Sequence, residues 1–72
     1  MASLWVSYDP LEKIWVDYDK TVDAKIETAH ARNEEQVSIF IAQKKYTIVF
    51  TERRQYNQAG AWRSVKRKVC IW

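Results

Sequence analysis

Apolar and polar positions along this chain change period once and then change back. Residues 5–8, Trp-Val-Ser-Tyr, are β-formers that stop at Asp9-Pro10, because proline carries no ladder donor. Residues 14–18, Ile-Trp-Val-Asp-Tyr, alternate and predict the second strand of a hairpin. From 21 to 31 the period becomes helical. Val22, Ile26 and Ala29 recur on one face, with Asp23, Lys25, Glu27 and Thr28 on the others. Asp19 or Thr21 can cap the start, and Asp23 suits the positive end of the helix dipole. Arg32 complements the other end, and Asn33 can take a left-handed stop. Alternation then returns at 37–41, Val-Ser-Ile-Phe-Ile, and at 46–50, Tyr-Thr-Ile-Val-Phe. Gln43-Lys44-Lys45 makes a short connection between them, as an antiparallel hairpin requires. A short strand around 55–57 turns at Ala59-Gly60, and a last strand runs from Trp62 to about Lys68. The predicted order is ββαββββ. One amphipathic helix is available to cover one face of an antiparallel sheet, which makes the fold α+β.

Composition permits such a fold at this length. The chain has 72 residues, enough for one domain, 1–72, and at this size the core must be dense. With 47% apolar residues and four Trp the material is present, and one Gly and one Pro argue against disorder. A chain this short is expected to be a piece of a longer protein and to act as a monomeric domain. The single cysteine, Cys70, cannot form an internal disulfide, and with one His it cannot build a structural zinc site. Its substitution by Ser is expected to cost little. A small domain without disulfides suits a reducing compartment, so an intracellular location, nucleus or cytoplasm, is expected. The longest apolar run is too short to span a membrane.

Charge changes the picture more. Residues 1–42 carry eight acids and four bases, a balance of −4; residues 43–72 carry eight bases and one acid, a balance of +7. Such asymmetry suggests that the C-terminal half faces an anion, although a basic edge that discourages strand aggregation would look the same. Catalysis has no support. There is no Gly-rich phosphate loop and no nucleophile motif. His30, the only histidine, stands at the helix end without a partner motif and has a structural role. Asp17, Asp19 and Asp23 lack calcium-loop spacing.

Several segments together resemble one family. They are Trp5, then Trp15-Val16-Asp17-Tyr18, then Ile26-Glu27-Thr28-Ala29 on the helix. Tyr46-Thr47-Ile48-Val49-Phe50, Gln55-Tyr56 and Arg63-Ser64-Val65-Lys66-Arg67 complete the set. In this order the chain resembles a WWE domain over nearly its whole length. The resemblance implies a curved antiparallel half-barrel sheet of about six strands packed on one helix. It also implies recognition of ADP-ribose or iso-ADP-ribose units of poly(ADP-ribose), or of ADP-ribosylated proteins. No cofactor is implied. Family members occur in ubiquitin ligases and ADP-ribosyltransferases, so a parent chain of either kind, linking ADP-ribosylation to ubiquitination, is implied too.

Site residues follow from the resemblance position by position. Arg63 matches a phosphate-binding Arg, and a guanidinium suits phosphate oxygens in bidentate geometry; an edge charge or a salt bridge to Asp17 or Glu27 is its alternative. Arg67 shares the face of Arg63, since side chains alternate along a strand, and either holds ligand or pairs structurally. Lys66 and Lys68 take the other face. Gln55 offers a carbonyl and an amide to sugar hydroxyls or a base edge, or else is an ordinary solvated Gln. Its neighbour Tyr56 points the opposite way. Tyr46 matches a pocket Tyr able to stack on adenine, or else packs beside Ile48 and Phe50. Trp15 buries its ring on general grounds, while the resemblance implies that it lines the pocket. Trp5 belongs to the core. The first hairpin departs from the family: where strong poly(ADP-ribose) binders carry Tyr residues just after the first Trp and a Gly-containing turn, this chain has Val6-Ser7 and a longer connection from Asp9 to Lys13. Tyr8 is the residue that can take their place; otherwise the pocket lacks one aromatic wall. Three functions therefore stand side by side: an ADP-ribose reader, a general nucleic-acid binder with exposed Tyr and Trp rings on a basic sheet, and a protein-interaction module that has lost its ligand.

Overall fold

The computed structural model describes residues 4–68; Cys70, and the expectation attached to it, lie outside the described residues. Seven elements follow in the order the sequence predicts: β1 (Trp5–Asp9), β2 (Ile14–Asp17), α1 (Lys20–Ala31), β3 (Gln36–Ile41), β4 (Lys44–Val49), β5 (Arg54–Tyr56) and β6 (Trp62–Arg67). The strands form one antiparallel sheet in the order β2-β1-β6-β5-β4-β3. The last strand is therefore central, and it joins the N-terminal hairpin to the β3–β5 meander. Residues from both edge strands, Val16 of β2 and Ile41 of β3, line one cavity. Opposite edges of a sheet can meet in this way only if the sheet curls, so the architecture is an α+β half-barrel with α1 across its open side. Among the described residues no helix is long and apolar enough to cross a membrane.

Local chemistry explains the boundaries. Asp19 caps α1, its carboxylate accepting from the Thr21 backbone N–H at 3.4 Å. At the other end Asn33 adopts φ 58°, with its N–H donating to the His30 carbonyl and the Glu34 N–H to the Ala29 carbonyl. That pair of bonds is a Schellman stop, which asparagine tolerates because its left-handed conformation is inexpensive. After β1 the Asp9 carboxylate accepts from the backbone N–H groups of Leu11 and Glu12, and the Lys13 N–H closes the turn on the Asp9 carbonyl. One connection differs from expectation. The β3–β4 turn consists of Ala42 and Gln43, at φ 51° and 66°, while Lys44 and Lys45 belong to β4. Two consecutive positive φ values match the twist of a hairpin, but neither residue type advertises them.

The core lies between the concave face and α1. Ile26, Ile39 and Ile48 are fully buried, with Trp5, Ala29 and Val65 around them; Val22, expected beside Ile26, is half-buried. Trp5 makes three polar contacts, two of which tie helix to sheet. Its indole N–H donates to Glu27 Oε1 at 2.9 Å and its backbone N–H to Asp23 Oδ1 at 2.7 Å, while its carbonyl accepts from the Tyr18 N–H. Its ring also meets those of His30 and Phe50 at 5.0 and 5.6 Å, which is the structural role expected for His30.

Candidate functional site

Cross-strand register sorts the side chains. Gln55 pairs with Arg63 and with Ile48, and Tyr46 pairs with Ile39. Partners opposite one another share a face, so Tyr46, Gln55 and Arg63 stand on the concave side with buried Ile39 and Ile48. They line a single cavity of about 500 Å³, together with Ser7, Val16 and Tyr18. A second cavity, about 350 Å³, lies at the opposite end of the same face between Trp5, Phe50, Arg53 and Arg67. Ile48 and Val65 form the floor between the two ends.

Among the described residues Gln55 is the buried polar one, 7% exposed. Its carbonyl oxygen accepts a 2.6 Å hydrogen bond from the Tyr18 hydroxyl. Burial raises the Tyr18 phenol well above the ordinary tyrosine range, against smaller opposing effects of the Ser7 hydroxyl and the Arg63 charge. The phenol therefore remains a neutral donor and fixes which end of the amide points where. With the oxygen held by Tyr18, the Gln55 amide N–H groups are its remaining polar capacity. Nothing in the sequence singled out Tyr18 for this role, since the two residues lie 37 positions apart.

Arg63 is exposed at the cavity. Both carboxylates considered as its alternatives are occupied: Asp17 by Lys68 Nζ at 2.8 Å and Glu27 by Arg67. Among the described residues Arg63 has no ion-pair partner. Arg67 is its opposite. It grips Glu27 with two bonds, Nε at 3.0 Å and Nη2 at 2.8 Å, and that fork, opposed by desolvation and aided by the Trp5 indole, holds the Glu27 carboxyl down to about 2. The structure gives Arg67 to the helix–sheet junction rather than to the cavity of Tyr46.

Tyr8 and Trp15 are likewise carried away from that cavity. They are direct cross-strand partners and meet ring to ring on the convex face at 5.2 Å. The next pair along the hairpin, Ser7 and Val16, is the one that points inward. Period two leaves no freedom here: a strand that turns Ser7 into the cavity must turn Tyr8 out. Tyr8 does not supply the aromatic wall, and the cavity has Ser7 and Val16 in its place. The lining also includes Asp9, Asp17 and Asp19, all three already bonded, to the 10–13 turn, to Lys68 and to the helix N-terminus. Among the described residues no group of His, Cys, Asp and Glu is arranged to hold a metal.

A half-barrel of this size, with a cavity lined by a buried amide and by a guanidinium that has no ion-pair partner among the described residues, has the form of a small binding module. Residues 3–67 match the family model described as WWE domain, and the chain belongs to that family. WWE domains form a non-catalytic family of interaction modules linked to ADP-ribose binding. No curated protein matches the chain.

Proposed function

We propose that this domain binds an ADP-ribose or iso-ADP-ribose unit of poly(ADP-ribose) in the cavity of Tyr46, Gln55 and Arg63. The observation that carries the reading is the convergence of these three side chains, from three different strands, on one cavity. Arg63 holds phosphate, being the cavity cation with no ion-pair partner among the described residues. Gln55 donates its amide N–H to a sugar hydroxyl or base edge, its orientation fixed by Tyr18. The half-buried Tyr46 ring stacks on adenine or ribose. In a longer protein inside the cell the module would recruit ADP-ribosylated partners, and with a ubiquitin ligase or an ADP-ribosyltransferase as parent it would couple that mark to a second modification. Residue-resolved NMR titration with ADP-ribose, iso-ADP-ribose and a short RNA tests this. Shifts confined to Tyr46, Gln55, Arg63 and their neighbours on adding either ADP-ribose compound are expected; no shifts at these positions would end the reading.

One observation favours a second reading, an interaction module without the ligand. Ser7 and Val16 are small at the cavity wall, and Asp9, Asp17 and Asp19 stand around it. The titration separates the two, since this reading expects no response to either nucleotide.

A further inference from the structure

The convex face of the sheet carries aromatic rings and cations in matched pairs. Lys66 Nζ lies 4.1 Å from the centroid of the Trp15 ring, whose edge meets Tyr8. On the neighbouring part of the same face the Arg54 guanidinium lies 3.9 Å from the centroid of Trp62, beside Tyr56, which is the cross-strand partner of Trp62. Both indoles remain open to solvent, Trp15 at 40% and Trp62 at 48%. Large rings at a sheet surface are more often covered than this, and none of these residues lines the cavity of Arg63. Register gives their spacing. Trp15 on β2 and Trp62 on β6 are two strands apart and one pleat out of level, roughly 12 Å for strands about 4.8 Å apart. That is the rise of three to four stacked nucleotides at roughly 3.4 Å each.

We propose that this convex face binds single-stranded nucleic acid, with bases stacking on Trp15 and Trp62 and with Lys66 and Arg54 meeting the phosphates. A base offers a flat π-face to each ring whatever the sequence, and the backbone brings a negative charge with each base. At each station the cation lies over one face of the indole, and a base stacks on the ring surface that stays open to solvent. Of the acids near this face, Asp17, which also borders the cavity, is paired with Lys68, and Glu52, which accepts from the Tyr56 hydroxyl, keeps its charge but is followed in the chain by Arg53 and Arg54. The strongly basic balance of residues 43–72 adds long-range attraction. An acidic peptide would satisfy the cations and leave the open rings unused, so the rings decide for nucleic acid.

The test is fluorescence anisotropy with a short labelled oligoadenylate at moderate salt, paired with NMR of the indole N–H signals. The Trp15 and Trp62 indole signals shift on binding, and that of Trp5, held by Glu27, does not. Trp15→Ala and Trp62→Ala each weaken binding roughly tenfold, in line with losing one stacked base. Arg63→Ala, on the other face, leaves oligoadenylate binding within about twofold and so separates this surface from the proposed ADP-ribose cavity. Absence of binding, unmoved Trp15 and Trp62 signals, or equal binding of a duplex or a polyglutamate peptide overturns the proposal. A loss from Arg63→Ala as large as that from Trp62→Ala overturns it too, by assigning both ligands to one site.

Discussion

The two faces of this sheet are built from the same strands and do different things. Along β6, Arg63, Val65 and Arg67 point into the half-barrel, while Trp62, Ser64 and Lys66 point out. The concave residues are held. Val65 is buried, Arg67 is locked to Glu27, and Gln55 opposite Arg63 is fixed by Tyr18. On the convex side Trp62 and Lys66 stay exposed and meet their neighbours as cation and ring, while Ser64, Arg54 and Tyr56 are half-buried and Val6, opposite Lys66, is buried. A six-residue strand thus delivers fold stability and a cavity on one side and an unfilled surface on the other. The division is set by nothing more than alternation. Arg63 and Arg67 refine the lesson, because they share a face and differ in fate. Glu27 on α1 reaches Arg67, and Arg63 has no ion-pair partner among the described residues.

Substitutions that empty the concave side should have the largest effect. Ile26 is fully buried beneath the sheet, and Ile26→Ala should cost about 2–5 kcal/mol through lost burial and the cavity left behind. For a domain of this size that approaches the whole stability. Ile26→Val, at about 1 kcal/mol, is the version urea denaturation can measure. Trp62→Ala on the convex side should change the unfolding free energy by about 0.5 kcal/mol or less. Comparable losses from Trp62→Ala and Ile26→Val would erase the contrast between the faces.

Tyr18→Phe should come next. It removes the donor to a buried carbonyl oxygen and leaves that oxygen unsatisfied, at a cost of about 1–3 kcal/mol. An unchanged midpoint in the same denaturation assay would mean that Gln55 finds another donor.

The smallest effect belongs to the ion pair at the helix–sheet junction. The Glu27 carboxyl sits at about 2 in the folded state against an ordinary 4.5, chiefly through the Arg67 fork. A depressed carboxyl stabilises the fold fully above its unfolded value, and that stabilisation is lost as pH falls through the folded one. Glu27→Gln should therefore lower the melting temperature modestly at neutral pH, since the pair is partly exposed. The gap from wild type should close between pH 4.5 and pH 2. A gap independent of pH would assign the loss to the Trp5 indole bond instead.

Much of this was legible in the sequence because it is local. The helix stop at Asn33, the cap at Asp19 and the sidedness of β6 follow from residue type and period. The turn at Ala42 and Gln43 was not, because positive φ at these residue types is imposed by the strands on either side. The expected connection, Gln43-Lys44-Lys45, therefore shares only Gln43 with the turn and runs two residues into β4. The first hairpin hid more. Which of Ser7 and Tyr8 turns inward depends on register, and register depends on a turn held by Asp9 and Lys13. The family resemblance pointed to Trp15, and the register points to Val16. The commitment of Arg67 to Glu27 and of Tyr18 to Gln55 joins residues 40 and 37 positions apart, which no periodicity can disclose.

The central claim is that one cation, Arg63, commands the concave cavity. Calorimetric titration of ADP-ribose and iso-ADP-ribose into the wild-type domain, Arg63→Ala and Lys68→Ala tests it most directly. Losing a charge-assisted contact of about 1.5–3 kcal/mol should weaken binding by Arg63→Ala roughly ten- to hundredfold with the fold intact. Lys68→Ala removes a cation already paired with Asp17 and should have only a small, salt-dependent effect. Equal losses from the two substitutions would contradict the account by making the basic surface a diffuse patch, and no heat from either nucleotide with the wild-type domain would contradict it outright.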